Sequence, residues 1–268
     1  MTESFFFSLF FLRALLAGCF LALACGLLGV FLVLRRDAMI GHGLSHVAFA
    51  GVALGLILNL MPIIASLLVC LAGSLIILRL KDQGRLPGDT AIGILSSAGM
   101  ALAVLLSALR KNFSGDLLNY LFGDILAIAP VDIILAIILA LLVIAAIIFS
   151  YHQLVFMTFD RESAIVSGVP VKRLDRILVL LTAVTIVLGI RIIGLLLITG
   201  LTVIPAASAL QLSKNFRSSL VLSSIFSLIS VASGIFLAYA LNIAASAAII
   251  FVSLFLFGAA FFLKTIKH

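Results

Sequence analysis

Apolar runs of about twenty residues recur from one end of the chain to the other, and this feature excludes most folds. At a rise of about 1.5 Å per residue, twenty helical residues match a hydrocarbon core about 30 Å thick. Backbone groups inside lipid must bond within their own segment, so such runs form helices. Divided at charges, prolines and glycines, they predict spans near 14–34, 38–58, 61–80, 89–109, 131–151, 177–191, 193–212, 219–240 and 243–263, nine in all. Over 177–212, two short spans and one long span with a re-entrant piece both fit, so eight is the other possible count. The expected fold is an all-α, polytopic integral membrane protein occupying residues 1–268 as a single unit. Composition agrees: 65% of residues are apolar and 10% charged, against about 45–50% and 25% in a soluble domain.

The formal charge of +7 is first a statement about topology. With the N-terminus outside, thirteen of the seventeen Lys and Arg residues fall on the cytoplasmic side, among them Arg35, Arg36, Lys81, Arg161, Lys214 and Lys264. The positive-inside rule therefore predicts an outer N-terminus and a cytoplasmic C-terminus. The excess bases serve orientation, and no nucleic-acid partner is expected. The opening residues carry Glu3 and no basic stretch, so they read as the lead-in to the first span and not as a signal peptide. Cys19, Cys25 and Cys70 lie inside apolar runs without a CxxC pair, which predicts packing residues. No segment is long enough for a soluble ATPase, and no phosphate-binding loop of the GxxxxGK[ST] type is present, so any ATP hydrolysis belongs to another chain.

Two segments depart from plain spans. Residues 112–130 are too interrupted to cross, carry Asp116 and Asp124, and end at Pro130; a half-helix on the outer side, re-entrant or not, fits them. Residues 158–176 form the longest polar stretch, expected in the cytoplasm as a short helix stopped by Gly168 and followed by Pro170 and a basic patch.

Chemistry concentrates at residues 35–51, RRDAMIGHGLSHVAFAG, where His42 and His46 stand four apart. On a helix they share one face, so both imidazoles can meet one cation. Polar packing is the plainer alternative, but ionisable groups inside a membrane are costly and point to function. Ser45 is expected to bond its own helix. Asp89 either caps the fourth span or faces the metal, and Asp124 either lies on the entry path or bonds a helix end. Asp132, just after Pro130, suits a helix N-terminus. Imidazole with carboxylate suits zinc and tolerates manganese or iron. No HExxH, GxSxG or nucleophile–base set indicates an enzyme. The segment Glu162 to Gly168 is either a helix docked in a partner's groove or a connecting loop.

The blocks RRDAMIGHGLSHVAFAGVALG, DTAIGILSS, DLLNYLFGDILAI and GLLLITGLTVIPAASA resemble, in order and across most of the chain, the membrane permeases of bacterial ABC importers for zinc, manganese and iron(II). The resemblance implies a permease homodimer in the inner membrane, two cytoplasmic ABC ATPase subunits and an extracytoplasmic metal-binding protein. It implies no permanently bound cofactor, only a transported Zn2+, Mn2+ or Fe2+. Carried over by residue, it gives His46 and His42 as metal ligands with Asp89 and Asp124 behind them. It also marks residues 159–172 as the ATPase contact, through Arg161, Glu162, Ala164 and Gly168. Many members have Asp in the place of His42, and a nitrogen there shifts the preference toward zinc.

The expected mechanism is alternating access. The ion passes Asp124 to a midmembrane His42/His46 site and leaves when the coupling helices move. The alternative is a transporter driven by an ion gradient, in which the same histidines relay protons.

Overall fold

A computed structural model describes residues 9–82, 88–109, 120–121, 123 and 128–266. Asp124, Asp116 and most of the expected half-helix at 112–130 lie outside the described residues. The helices run in the order α1 (Leu9–Leu34), α2 (Met39–Ile57), α3 (Pro62–Asp82), α4 (Gly88–Ala108), α5 (Pro130–Phe149), α6 (Tyr151–Phe159), α7 (Arg161–Val166), α8 (Val171–Ile192), α9 (Leu195–Leu212), α10 (Phe216–Leu241) and α11 (Ala245–Ile266). Among the described residues there is no strand.

Local chemistry sets the helix ends. The chain turns out of α1 at Arg36, whose φ is +59°, and prolines open α3 and α5, where a missing N–H costs nothing. The Asp132 carboxylate accepts the Ala129 N–H at 2.9 Å, closing the start of α5. Asn215 caps α10 through the Ser218 N–H at 2.8 Å, and Asn242 ends it in the left-handed region.

Seven described helices are individually long and apolar enough to cross a membrane, and α8 with α9 forms a further candidate bent by 120°. Contacts between helix ends fix how that bent pair runs. The α1 end near Phe31, the α6 start at Tyr151 and the α10 start at Phe216 meet in one aromatic cluster, so they share an end of the bundle. Asp175 of α8 bonds Arg35 at that same end. Arg191, at the far end of α8, reaches Asp132 at 3.1 Å where α5 begins. Gln211 near the close of α9 accepts from Lys264 near the close of α11 at 2.9 Å. Thus α8 runs away from the Arg35 end, here called the basic end, and α9 returns toward it after Gly194, whose φ is +92°. Residues 177–212 thus lie on two helices joined at a sharp bend. The reversal needs a glycine because a Cβ penalises positive φ.

With lipid outside, helix association rests on close backbone approach and buried polar contacts. The α1–α10 contact shows both: the Ser223 hydroxyl donates to the Gly26 carbonyl at 2.7 Å, and a Cβ on Gly26 would stand 2.6 Å from the Ser227 hydroxyl. All three cysteines are free, and Cys25 and Cys70 are buried packing residues.

Candidate metal site and the basic end

The first half of α2 carries the histidine pair. His42 and His46 project from one face with their Nε2 atoms 3.3 Å apart, rings perpendicular and centroids 4.7 Å apart. His42 is exposed and His46 half-buried, and His46 Nδ1 is buried with no hydrogen-bond partner among the described residues. Ser45 turns away: its hydroxyl donates to the His42 carbonyl at 2.7 Å, as a helical serine commonly does. His42 is the fourth and His46 the eighth residue of a nineteen-residue helix, so His46 stands close to the middle of α2 and His42 one turn nearer the basic end.

Glycines seat this face of α2 against α4. A Cβ on Gly43 would fall 2.5 Å from the Ile92 side chain, and one on Gly99 would fall 2.9 Å from both the His46 carbonyl oxygen and the Val47 nitrogen. The backbone that aims His46 is therefore held by direct contact with α4. Asp89 occupies the first turn of α4 and is exposed, where it complements the helix dipole. Among the described residues no three His, Cys, Asp or Glu side chains gather, so Asp89 does not join the histidines. Asp124 lies outside the described residues. Beside it Gly123, with φ +74°, is pressed against the turn into α9, where a Cβ would meet the Ile193 carbonyl carbon at 2.4 Å.

The polar stretch forms a helix as expected. Asp160 caps α7 by accepting the Ser163 N–H at 2.9 Å and the Ser163 hydroxyl at 2.6 Å. Those bonds from Ser163 hold the Asp160 carboxyl below its usual range. Gly168 follows with φ +80° and open space where a side chain would point. One expectation within this segment changes. Ala164 is fully buried against its own chain, so the small residue is not what α7 offers outward. The outward apolar residues are Phe159, Ile165 and Val166, the last 88% exposed. Arg161 bonds Asp175 at 2.6 Å while its side chain stays 45% exposed. Glu162 is exposed.

Asp175 is the hub of the basic end. It receives Arg35 on Oδ1 and Arg161 on Oδ2, while Asp37 pairs with Lys81 at 2.5 Å. The only signal in the sequence is the acid itself, one carboxylate in a run of bases, VKRLDR.

Comparison with known proteins follows the same lines. The model of the ABC 3 transport family matches residues 8–264. The high-affinity zinc uptake system membrane protein ZnuB of Haemophilus influenzae is 37% identical over 91% of this chain and 94% of its own length. The manganese import system permease protein ScaB of Streptococcus gordonii is 32% identical over 95% of this chain and 91% of its own. A solved structure, PsaBC from Streptococcus pneumoniae in complex with Fab, superposes with a TM-score of 0.86 at 30% identity, covering 97% of this chain and 93% of that one. With nearly its whole length matched by the family model, and a multi-pass helical fold shared with that solved relative, the chain belongs to the ABC 3 transport family.

Proposed function

We propose that this permease carries a divalent first-row metal into the cytoplasm, zinc ahead of manganese or iron(II), with His42 and His46 as transient ligands. The observation that carries this reading is the 3.3 Å separation of the two Nε2 atoms. Two nitrogens, each about 2.0–2.1 Å from a tetrahedral zinc, stand about 3.3–3.4 Å apart, so the spacing set by the pair's own N–H···N hydrogen bond is also one that a shared zinc would take. Zinc is supported further by nitrogen standing at position 42, and by the zinc uptake protein among the relatives.

The exposure of His42 supports a second copy of the permease, since an ion at the surface of a single chain would otherwise face lipid. The outward Phe159, Ile165 and Val166 supply an apolar face for a cytoplasmic ATPase subunit, with Glu162 and Gly168 at its borders. An extracytoplasmic metal-binding protein delivers the ion at the opposite end, past Asp124 in this reading. The basic end then faces the cytoplasm of the inner membrane, with the N-terminus outside, a sidedness that the distribution of Lys and Arg supports. Asp89, at the cytoplasmic start of α4, meets the ion on its way out. Reconstitution with its ATPase subunits tests the function: zinc uptake should require ATP and stop with vanadate. Uptake that persists in vanadate and collapses with an uncoupler would instead establish a gradient-driven transporter.

A further inference from the structure

Five charged side chains at the basic end alternate in sign along one line, Arg161, Asp175, Arg35, Asp37 and Lys81. Asp175 is 6% exposed in the second turn of α8 and bridges Arg161 of α7 to Arg35 at the end of α1. Arg35 Nε also leans toward Asp37 Oδ2 at 3.8 Å, and Asp37 holds Lys81 of α3. The line therefore begins on the outward-facing segment and ends at the turn that launches α2. That turn is tightly bonded: the Asp37 N–H donates to the Leu32 carbonyl at 2.8 Å and the Ile40 N–H to Asp37 at 2.9 Å. His42 follows two residues later on the same helix.

Partly buried ion pairs contribute little net stability, because desolvation offsets their attraction, and apolar packing holds helices as firmly. What they add is direction and a small set of alternative pairings. Beside them lies a cavity of about 310 Å3, lined by all five charged residues together with Phe31, Leu78 and Met157. It gives the side chains room to exchange partners.

We propose that Asp175 is a positioning residue that transmits movement of the α7 segment to the His42/His46 pair, an inference that rests on the docking and metal roles proposed above. A pull on α7 acts through Arg161 on Asp175, and through Arg35 on the α1–α2 turn. The histidines then move as one with the base of α2. Asp175→Asn keeps the shape and removes the charge; Asp175→Glu keeps the charge. Arg161→Gln breaks the link at its outer end, where the side chain is 45% exposed.

The measurement is zinc transported per ATP hydrolysed by the permease reconstituted with its ATPase subunits. For Asp175→Asn and Arg161→Gln the ratio should fall at least tenfold with the subunits still bound, and Asp175→Glu should restore most of it. A purely structural role would lower transport and hydrolysis together, so an unchanged ratio in either charge-removing variant overturns the proposal. If Asp175→Asn does not insert, the ratio for Arg161→Gln decides alone. A wild-type complex that moves no zinc with ATP would overturn the underlying metal reading and this inference with it. Normal wild-type coupling with normal coupling in the variants would overturn this inference only.

Discussion

Replacing Gly99 by alanine tests whether α4 aims the histidine pair. The added Cβ would lie 2.9 Å from the His46 oxygen and the Val47 nitrogen and 3.0 Å from the His46 carbonyl carbon, where ordinary contact begins at 3.4 Å. All three atoms are backbone, so no rotamer change relieves them and the helices must part by about 0.5 Å. That displacement equals the tolerance of about 0.5 Å within which a binding constellation works, and it acts on the residue bearing one of two imidazoles. Overpacking costs about 1–3 kcal/mol, while alanine recovers up to about 1 kcal/mol of helix propensity. With that gain realised in full, the net expectation is a loss of about 0–2 kcal/mol. Gly258→Ala is the control, because open space surrounds that position and only the propensity gain applies. Thermal unfolding in detergent and zinc uptake by proteoliposomes at limiting metal are the assays. Gly99→Ala should unfold earlier and transport several-fold less, and Gly258→Ala should do neither. Uptake and unfolding of Gly99→Ala at wild-type levels would refute the idea that this contact positions His46.

Other expectations follow from the same geometry. His42→Asp exchanges nitrogen for oxygen in the pair and should raise manganese transport relative to zinc in a competition assay; an unchanged ratio would place His42 outside the ion's coordination. At Gly168 an added Cβ would meet open space but the residue must hold φ at +80°, a strain of about 1–2 kcal/mol, so with Gly168→Trp the permease should insert yet release its ATPase subunits on co-purification. Retention of the partner with full metal-stimulated hydrolysis would move the contact toward Arg217, which stacks over Tyr151 at 5.5 Å. The α7 cap should depend on pH. Because the folded Asp160 carboxyl is held low by Ser163, its contribution is present above the unfolded value of about 3.9 and is lost as pH falls through the folded one. Hydrogen exchange over Arg161–Val166 should therefore be faster in Asp160→Ala than in wild type at neutral pH, with the difference closing in acid. Equal protection at neutral pH would contradict the cap.

The spans were readable because lipid enforces one rule on every run: an expected span at 38–58 became Met39–Ile57, and one at 219–240 became Phe216–Leu241. The short span expected at 177–191 begins earlier, at Val171. Its first turns carry Lys172, Arg173, Asp175 and Arg176, and a polarity scan excludes those residues even though Asp175 is neutralised by Arg35 and Arg161. The convergence of His42 and His46 was legible from their spacing of four, which depends only on helix geometry. The burial of Ala164 and the engagement of Arg161 were not, since both depend on α8 folding back beside α7. Local sequence identifies a helix and its stop, whereas the face that it turns outward is set by partners far along the chain.

The central claim is that the histidine pair binds the transported ion, and zinc uptake by His46→Ala tests it most directly. In proteoliposomes containing the assembled complex at limiting zinc, the variant should assemble normally, because His46 is only half-buried and its ring bonds the exposed His42 on the same helix. With one of the two imidazoles gone, ATP-driven uptake should fall at least tenfold, to background. Uptake at the wild-type rate would show that the ion crosses without this site and would contradict the account.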